Sequence, residues 1–522
     1  MTAARLGRLA GLVSAATAAS RLLGLIREQV FAATLGASNV ADAFVGAFRL
    51  PNLWRDLLAE GALSAALVPA YRAELTNRGE AAAHRLSARL LGNVLVAVGL
   101  AVILAMLAAP ALAELFLGDF ANVPGKLDLA AALLTAMVPF ILIASVTAIA
   151  MGVQQAREHF VAPALSPAVF NLVSIAIGIG LALSGRSTRE VAIGWAVGTL
   201  LAGLAQLGLQ VPSLWRLGWR PRLGLDLRLR DPAVRRVVVT MGPAIIAGAA
   251  IQLNVFIDTM FAAQDPGAVA WLGYAFRFLQ LPLGIFAVAI ATVSTTRYAD
   301  AAAARDPQAL ASHVADGLRL ISFLCVPAMV GLVLDGDAIV RLIYQHGRFA
   351  PRDTAATGAA LDVYALGLPA YAAIKVLAPA TYAFDRARLA AAAAAVAIVG
   401  HYLGDRLLHE RGGFEALAAS TATAAYANAA ILYLGIHRGI ATLPHRALAD
   451  HLARVMIAAA VMGGVVWSVA AVLEDAVGGG SLAARAITAL GPVVAGAATY
   501  AAATVALGVP EARAIVRRLR RR

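Results

Sequence analysis

The segment "LLGNVLVAVGLAVILAMLAAPALA", Leu90 to Ala113, contains no charged side chain. A helix of about 20 apolar residues is long enough to cross the hydrocarbon of a bilayer. Similar runs recur along the whole chain. Inside lipid every backbone N–H and C=O must be satisfied without water, so only helices and closed barrels cross. Barrel strands need about 9–11 alternating residues, and these runs are longer and uniformly apolar. The fold class is therefore an all-α polytopic membrane protein. Composition agrees: 61% of the residues are hydrophobic and 14% are charged, against about 25% charged in soluble domains. The single cysteine, Cys325, excludes a disulfide framework within the chain. The N-terminus has the order of a secretory signal, with Arg5 and Arg8, an apolar stretch and then "SAATAAS". Because apolar runs continue to the C-terminus, it reads instead as a first helix.

Fourteen spans are predicted, at 9–34, 41–70, 90–116, 128–153, 160–183, 190–214, 236–262, 269–296, 314–334, 356–383, 388–405, 415–436, 452–473 and 482–508. With a cytoplasmic N-terminus, 27 of the 43 Lys and Arg fall on the cytoplasmic side, 8 outside and 8 within spans. Basic residues collect in cytoplasmic loops, so this bias places both termini in the cytoplasm. It also accounts for the net charge of +13 without nucleic acid. The basic loop 215–236 separates six helices from six more, and a final pair follows. The expected organisation is an N-lobe over 1–221, a C-lobe over 222–440, and helices 13 and 14 with a basic tail over 441–522. Two six-helix halves are the plan of a repeat-built transporter.

Charges inside the spans carry the functional argument. An arginine at mid-membrane costs about 2.5–3.5 kcal/mol on insertion scales and normally faces a bundle interior or a wet cavity. Arg319 and Arg485 lie near span ends, where snorkelling accounts for them. Arg21 and Arg27 flank Gly24 in span one. Span two adds Asp42, Arg49, Arg55 and Glu60, span eight Arg277, and span ten Lys375. Glu28, Asp42 and Glu60 are available as partners, too few for six cations. Several unpaired cations do not stay dry in an apolar bundle. They imply a water-filled central cationic cavity and a visiting anion. The planar fork of arginine suits phosphate oxygens.

A second constellation is acidic: Asp258 in span seven, Asp405 at the end of span eleven, and Thr421 early in span twelve, with His401 one turn before Asp405. Carboxylates with hydroxyl and carbonyl oxygens suit Na⁺ or a proton relay. Asp405 reads equally well as a residue of the outer loop. There is no G-x-x-x-x-G-K-[ST], H-E-x-x-H, C-x-x-C or G-x-S-x-G. Without a nucleotide-binding loop, work must come from an ion gradient (Na⁺ or H⁺), the membrane potential or substrate removal. No cofactor is expected, and the chain is not expected to be an enzyme.

The stretch "SRLLGLIREQVFAATLGASNVADAFVGAFRLPNLWRDLLAEGALSAALVPAY", Ser20 to Tyr71, resembles the N-terminal signature of the MurJ/MviN lipid II flippase family. Its elements are S-R-x-L-G-x-x-R-[DE], A-D-A-F, [RK]-L-P-N-L-x-R and A-E-G-A. "MGPAII", "YAFRFLQLPLGIFAVAIATV", "YQHGRF" and "KVLAPATYA" continue the likeness over most of residues 5–385. The resemblance implies two six-helix lobes around a central cationic cavity, plus two C-terminal helices forming a groove for a lipid tail. It implies a bacterial inner-membrane location and the undecaprenyl-diphosphate-linked peptidoglycan precursor as substrate. It also implies that Arg21, Arg27 and Arg277 are cavity arginines, with Arg55 a further basic position, Asp42 and Glu60 the acids of span two, and a monovalent cation site at Asp258, Asp405 and Thr421. Two positions depart from the family's pattern: His401 stands where an asparagine is usual, and Asp56 follows Arg55 where a second arginine is frequent.

The expected function is flipping of lipid-linked precursor from the inner to the outer leaflet by alternating access, in the surrounding phospholipid bilayer and beside cell-wall synthesis proteins. The rivals are a cation-coupled exporter of another lipid-linked oligosaccharide or drug, and a non-transporting scaffold for cell-wall synthesis. The excess of arginines argues against a pocket for cationic drugs.

Overall fold

The computed structural model describes residues 3–57, 63–220, 223–477 and 480–519, and every regular element among them is helical. The chain folds as two compact units. The first is Met1–Ala270 with His346–Phe349, and the second is Trp271–Gln345 with Ala350–Arg522.

The first unit contains α1 (Ala3–Leu35), α2 (Asn39–Leu57), α3 (Leu63–Arg78), α4 (Glu80–Leu107), α5 (Ala109–Leu117), α6 (Lys126–Met137), α7 (Phe140–Ala156), α8 (Val161–Leu183), α9 (Thr188–Arg216) and α10 (Pro232–Ala262). Polar residues set the helix starts. Ser187 and Glu190 form a reciprocal capping box at α9, which satisfies two orphan donors. Asp231 accepts from the Ala233 amide ahead of Pro232 at α10, and proline is pre-organised for that first position. One apolar core joins Leu67, Tyr71, Leu86, Ile149, Leu214 and Val234, drawn from α3, α4, α7, α9 and α10. The sequence division at 221/222 groups span seven with the C-lobe, whereas α10 packs within the first unit.

Helix α8 packs on α1 and α9 through small residues. A Cβ at Gly178 would lie 2.5 Å from the Trp195 ring and 2.7 Å from Val30. Without water between them, membrane helices rely on such close approach. Gly178→Ala is expected to destabilise the fold by about 1–3 kcal/mol through overpacking. A thermal unfolding midpoint in detergent checks this, and an unchanged midpoint contradicts it.

The second unit contains α11 (Ala268–Pro282, entering at Trp271), a π-turn (Leu283–Ala287), α12 (Val288–Ala303), α13 (Pro307–Tyr344), α14 (Pro351–Leu366), α15 (Leu368–Ala383), α16 (Ala387–Gly439), α17 (His445–Val477), α18 (Leu482–Ala506) and α19 (Pro510–Leu519). Helix α13 is the hub, packing against α12, α14, α15, α17 and α18. Glycines again allow close approach: a Cβ at Gly463 would meet Val330 and Leu334, and one at Gly496 would meet Val466.

Among the described residues nine helices are long and apolar enough to cross a membrane, or ten if α14 and α15, bent by 42°, count as one. Helix α16 has 53 residues, about 80 Å at 1.5 Å per residue, far more than the ~30 Å of hydrocarbon. It breaks at Gly413, where φ is 54° and ψ is −149°, a conformation open essentially to glycine alone. The two arms occupy the places of spans eleven and twelve. The sequence puts the end of span eleven at Asp405; the helix instead continues to the Gly413 break. Helices α1 and α10 stand where spans one and seven are expected.

Candidate substrate-binding site

In the first unit the basic residues lie on α1 and α2. Arg21 is exposed on α1, and among the described residues it has no ion pair. Arg27 is half-buried. Its Nη2 donates to Glu28 Oε1 at 2.6 Å, and its guanidinium lies 5.8 Å from the centre of the Phe170 ring. A cation over an aromatic face is attracted by the ring quadrupole. Asn171, next to Phe170, donates to the Ser20 carbonyl at 3.0 Å, so α8 braces this part of α1. On α2, Arg55 Nη2 donates to Asp56 Oδ1 at 2.9 Å, while Asn52 donates to Asp56 Oδ2 at 3.2 Å. The departure from a second arginine therefore gives Arg55 a neighbouring acid. The Arg27–Glu28 and Arg55–Asp56 side chains all remain partly open, between 17% and 27% exposed. Arg49 is half-buried. Glu60 lies outside the described residues.

Asp42 is not an open acid of this face. It is wholly buried. Its Oδ2 accepts from Lys126 Nζ at 2.8 Å and from the Gly267 amide at 2.6 Å, and its Oδ1 accepts from the Ala270 amide at 2.9 Å. Lys126 also donates to Asn39 Oδ1 at 3.2 Å and lies 4.0 Å from the Phe120 ring centre. Sequence reading misses Lys126, assigning it to an outer loop two residues short of span four. The signal is present: one lysine beside Gly125 at a helix start, next to a run free of further basic residues up to Arg157.

The second unit carries Arg277 and Lys375, both exposed. Arg277 sits on α11, five residues before Pro282 and the π-turn. Its Nη1 donates to the neutral Gln280 Oε1 at 3.4 Å. Among the described residues Lys375, on α15, has no ion pair. Arg485 lies in the first turn of α18, whereas Arg319 lies well inside α13. Arg485 Nη1 donates to the Gln345 carbonyl at 2.7 Å, and Arg319 lies 3.7 Å from Asp316.

The residues of the acidic constellation belong to both units. Asp258 is half-buried on α10, in the first unit. In the second unit Asp405 and His401 are buried on α16, so Asp405 is not a residue of the outer loop. His401 Nε2 lies 3.2 Å from Asp405 Oδ2 and 3.2 Å from Thr421 Oγ1. The Thr421 hydroxyl donates to the Leu417 carbonyl at 3.0 Å. In this unit Asp405, Thr421 and the His401 imidazole stand side by side, His401 occupying the position where an asparagine is usual.

The lipid II flippase MurJ family profile matches residues 31–488. The chain belongs to the MurJ lipid II flippase family. A relative named "Probable lipid II flippase MurJ", from Rhizobium tropici, is 34% identical over 476 residues, covering 90% of this chain and 88% of the relative. Among solved structures, "Lipid II flippase MurJ, inward closed conformation" superposes with a TM-score of 0.78 at 23% identity, covering 95% of this chain and 99% of that one. An inward-facing multidrug resistance MATE family transporter of the MOP superfamily gives 0.67 at 14% identity, covering 83% of this chain and 96% of that one. These two likenesses speak to the fold. The MurJ family consists of lipid flippases rather than enzymes, and this member is a multi-pass membrane protein. The expected membership, helical fold and absence of an enzymatic role thus stand.

Proposed function

We propose that this chain flips lipid II, the diphosphate-linked peptidoglycan precursor, from the inner to the outer leaflet of the bacterial inner membrane. One observation carries the reading of the site. Arg21 and Lys375 lack ion pairs among the described residues, and Arg277 donates to a neutral amide. Guanidinium groups so placed within apolar helices suit a bidentate phosphate ligand. Arg21, Arg27, Arg49 and Arg55 would serve the headgroup from the first unit, and Arg277 and Lys375 from the second. The polyprenyl tail would lie along α17 and α18, whose outward faces carry Ile457, Val461, Trp467, Ile487, Leu490 and Val494, all exposed. The 27-to-8 charge bias supports cytoplasmic termini. An ion gradient or the membrane potential would supply the work, one charge across 100 mV being worth about 2.3 kcal/mol.

The test uses purified protein in vesicles containing lipid II with a fluorescent headgroup and a membrane-impermeant reductant outside. Protein-free vesicles lose the outer-leaflet half of the signal. Vesicles with protein are expected to lose nearly all of it. Loss of only half in both would overturn transport and leave the scaffold reading.

A further inference from the structure

The segment joining α9 to α10 is not a slack linker. It is latched to α4 over Ser87–Asn93. Trp219 is buried, and its Nε1 donates to Ser87 Oγ at 2.9 Å. The Gly224 amide donates to the Ala88 carbonyl at 3.1 Å. Asn93 exchanges two hydrogen bonds with the Asp226 backbone, at 3.0 and 2.8 Å. Arg89 pairs with Asp231. The backbones of Gly92 and Gly224 approach so closely that a Cβ on Gly92 would collide with the Gly224 carbonyl. The Asp226 carboxylate accepts from the Arg230 and Asp231 amides at 3.0 and 2.8 Å. The Asp231 bond chiefly holds this carboxyl below its usual range.

The backbones of Gly224 and Asp226 bond to α4, while Leu223, Leu225 and Leu227 beside them are 72%, 63% and 54% exposed. Leu229, by contrast, packs on the core. Three neighbouring exposed leucines on a rigid backbone form an apolar patch. Arg220, Arg228 and Arg230 rim it, and all three are exposed.

The depth of the patch follows from the same contacts. Arg89 is the last charged residue of α4 before a charge-free run to Leu107. Arg216 ends α9, and Arg236 is the last charge before the apolar stretch of α10. The loop binds α4 at Ser87–Asn93, across this polar–apolar border. Trp215, next to Arg216 at the end of α9, is 63% exposed, and tryptophan favours the membrane interface. The exposed face of α4 beyond Asn93, with Val96, Leu100 and Leu104, continues the apolar surface.

We infer that Arg220 and residues 223–231 form an interfacial anchor whose ligand is an anionic phospholipid headgroup of the leaflet on that side. The leucines enter the acyl boundary and the arginines take the phosphates. Apolar insertion combined with cationic attraction is how interfacial segments select anionic lipid, each basic residue strengthening binding about fivefold near such a surface. The inference does not depend on which lipid-linked substrate is moved.

The experiment places one fluorescent label at Leu225→Cys in full-length protein, with Cys325 replaced by alanine, in nanodiscs. One set is phosphatidylcholine alone, the other contains one-third phosphatidylglycerol; each carries a lipid with a nitroxide at carbon 5 of its chain. Blue-shifted emission and lipid quenching are expected, several-fold stronger with phosphatidylglycerol. Arg220→Gln/Arg228→Gln/Arg230→Gln should abolish that preference while leaving the protein folded by thermal midpoint. Emission typical of water without quenching would overturn the anchor. So would shielding without lipid quenching, which means a protein contact. Equal quenching in both lipids would overturn the anionic ligand.

Discussion

Arg277→Ala is expected to slow the appearance of lipid-linked precursor in the outer leaflet by about 10- to 100-fold, at unchanged protein level in the membrane. The magnitude follows from a charge-assisted hydrogen bond, about 1.5–3 kcal/mol. Arg277 is exposed on α11 and donates to Gln280 at 3.4 Å. Arg277→Lys should recover part of the rate, because lysine keeps the charge and loses the planar fork. Arg27→Ala is more complex. Arg27 shares its guanidinium with Glu28 at 2.6 Å, so the alanine variant removes a cation and also releases an anion beside the substrate. Arg27→Ala should therefore be at least as damaging as Arg27→Ala/Glu28→Gln. A leaflet-accessibility assay in cells dependent on each variant reads both effects. Wild-type outer-leaflet appearance in Arg277→Ala and in Arg27→Ala would contradict the phosphate-site assignment.

The charge-free runs make the helical fold legible, because the demand of the hydrocarbon for satisfied backbone groups leaves few alternatives. What escapes is what composition does not encode. Asp405 reads as a loop residue because a carboxylate normally marks the end of an apolar run. Helix α16 nonetheless carries it through to Gly413, where the backbone turns, and it stays buried beside His401. The basic loop before α10 groups that helix with the C-lobe, yet Val234 and Val237 pack into the core built by α3, α4 and α7. Loop charge reports which side of a membrane a segment lies on, not which neighbours its helix takes.

The site is legible as a set of cations and less so as a set of contacts. Counting acids on spans one and two treats Glu28, Asp42 and Glu60 as equivalent partners. The structure separates the first two. Glu28 takes the adjacent arginine and stays partly open, whereas Asp42 is sealed by a lysine from another helix and two backbone amides. Long-range pairing of this kind depends on how helices meet, and a helical period read along one segment carries no information about it.

That buried pair has the largest expected effect on stability. The Lys126 and Asp42 side chains are 1% and 0% exposed. Breaking a buried ion pair by removing one partner costs about 3–5 kcal/mol, since the other charge is left without compensation. Lys126→Met is therefore expected to lower the thermal midpoint in detergent sharply and to reduce accumulation in the membrane. Lys126→Met/Asp42→Asn removes both charges while keeping a carbonyl oxygen that accepts from Gly267 or Ala270. It should regain more than half of the lost stability. The same double variant decides what Asp42 does for transport. If it folds and still flips lipid-linked precursor, Asp42 acts through the packing it secures between α2, α6 and the start of α11. If it folds but does not flip, the carboxylate itself acts in the transport cycle, and a purely packing role is overturned.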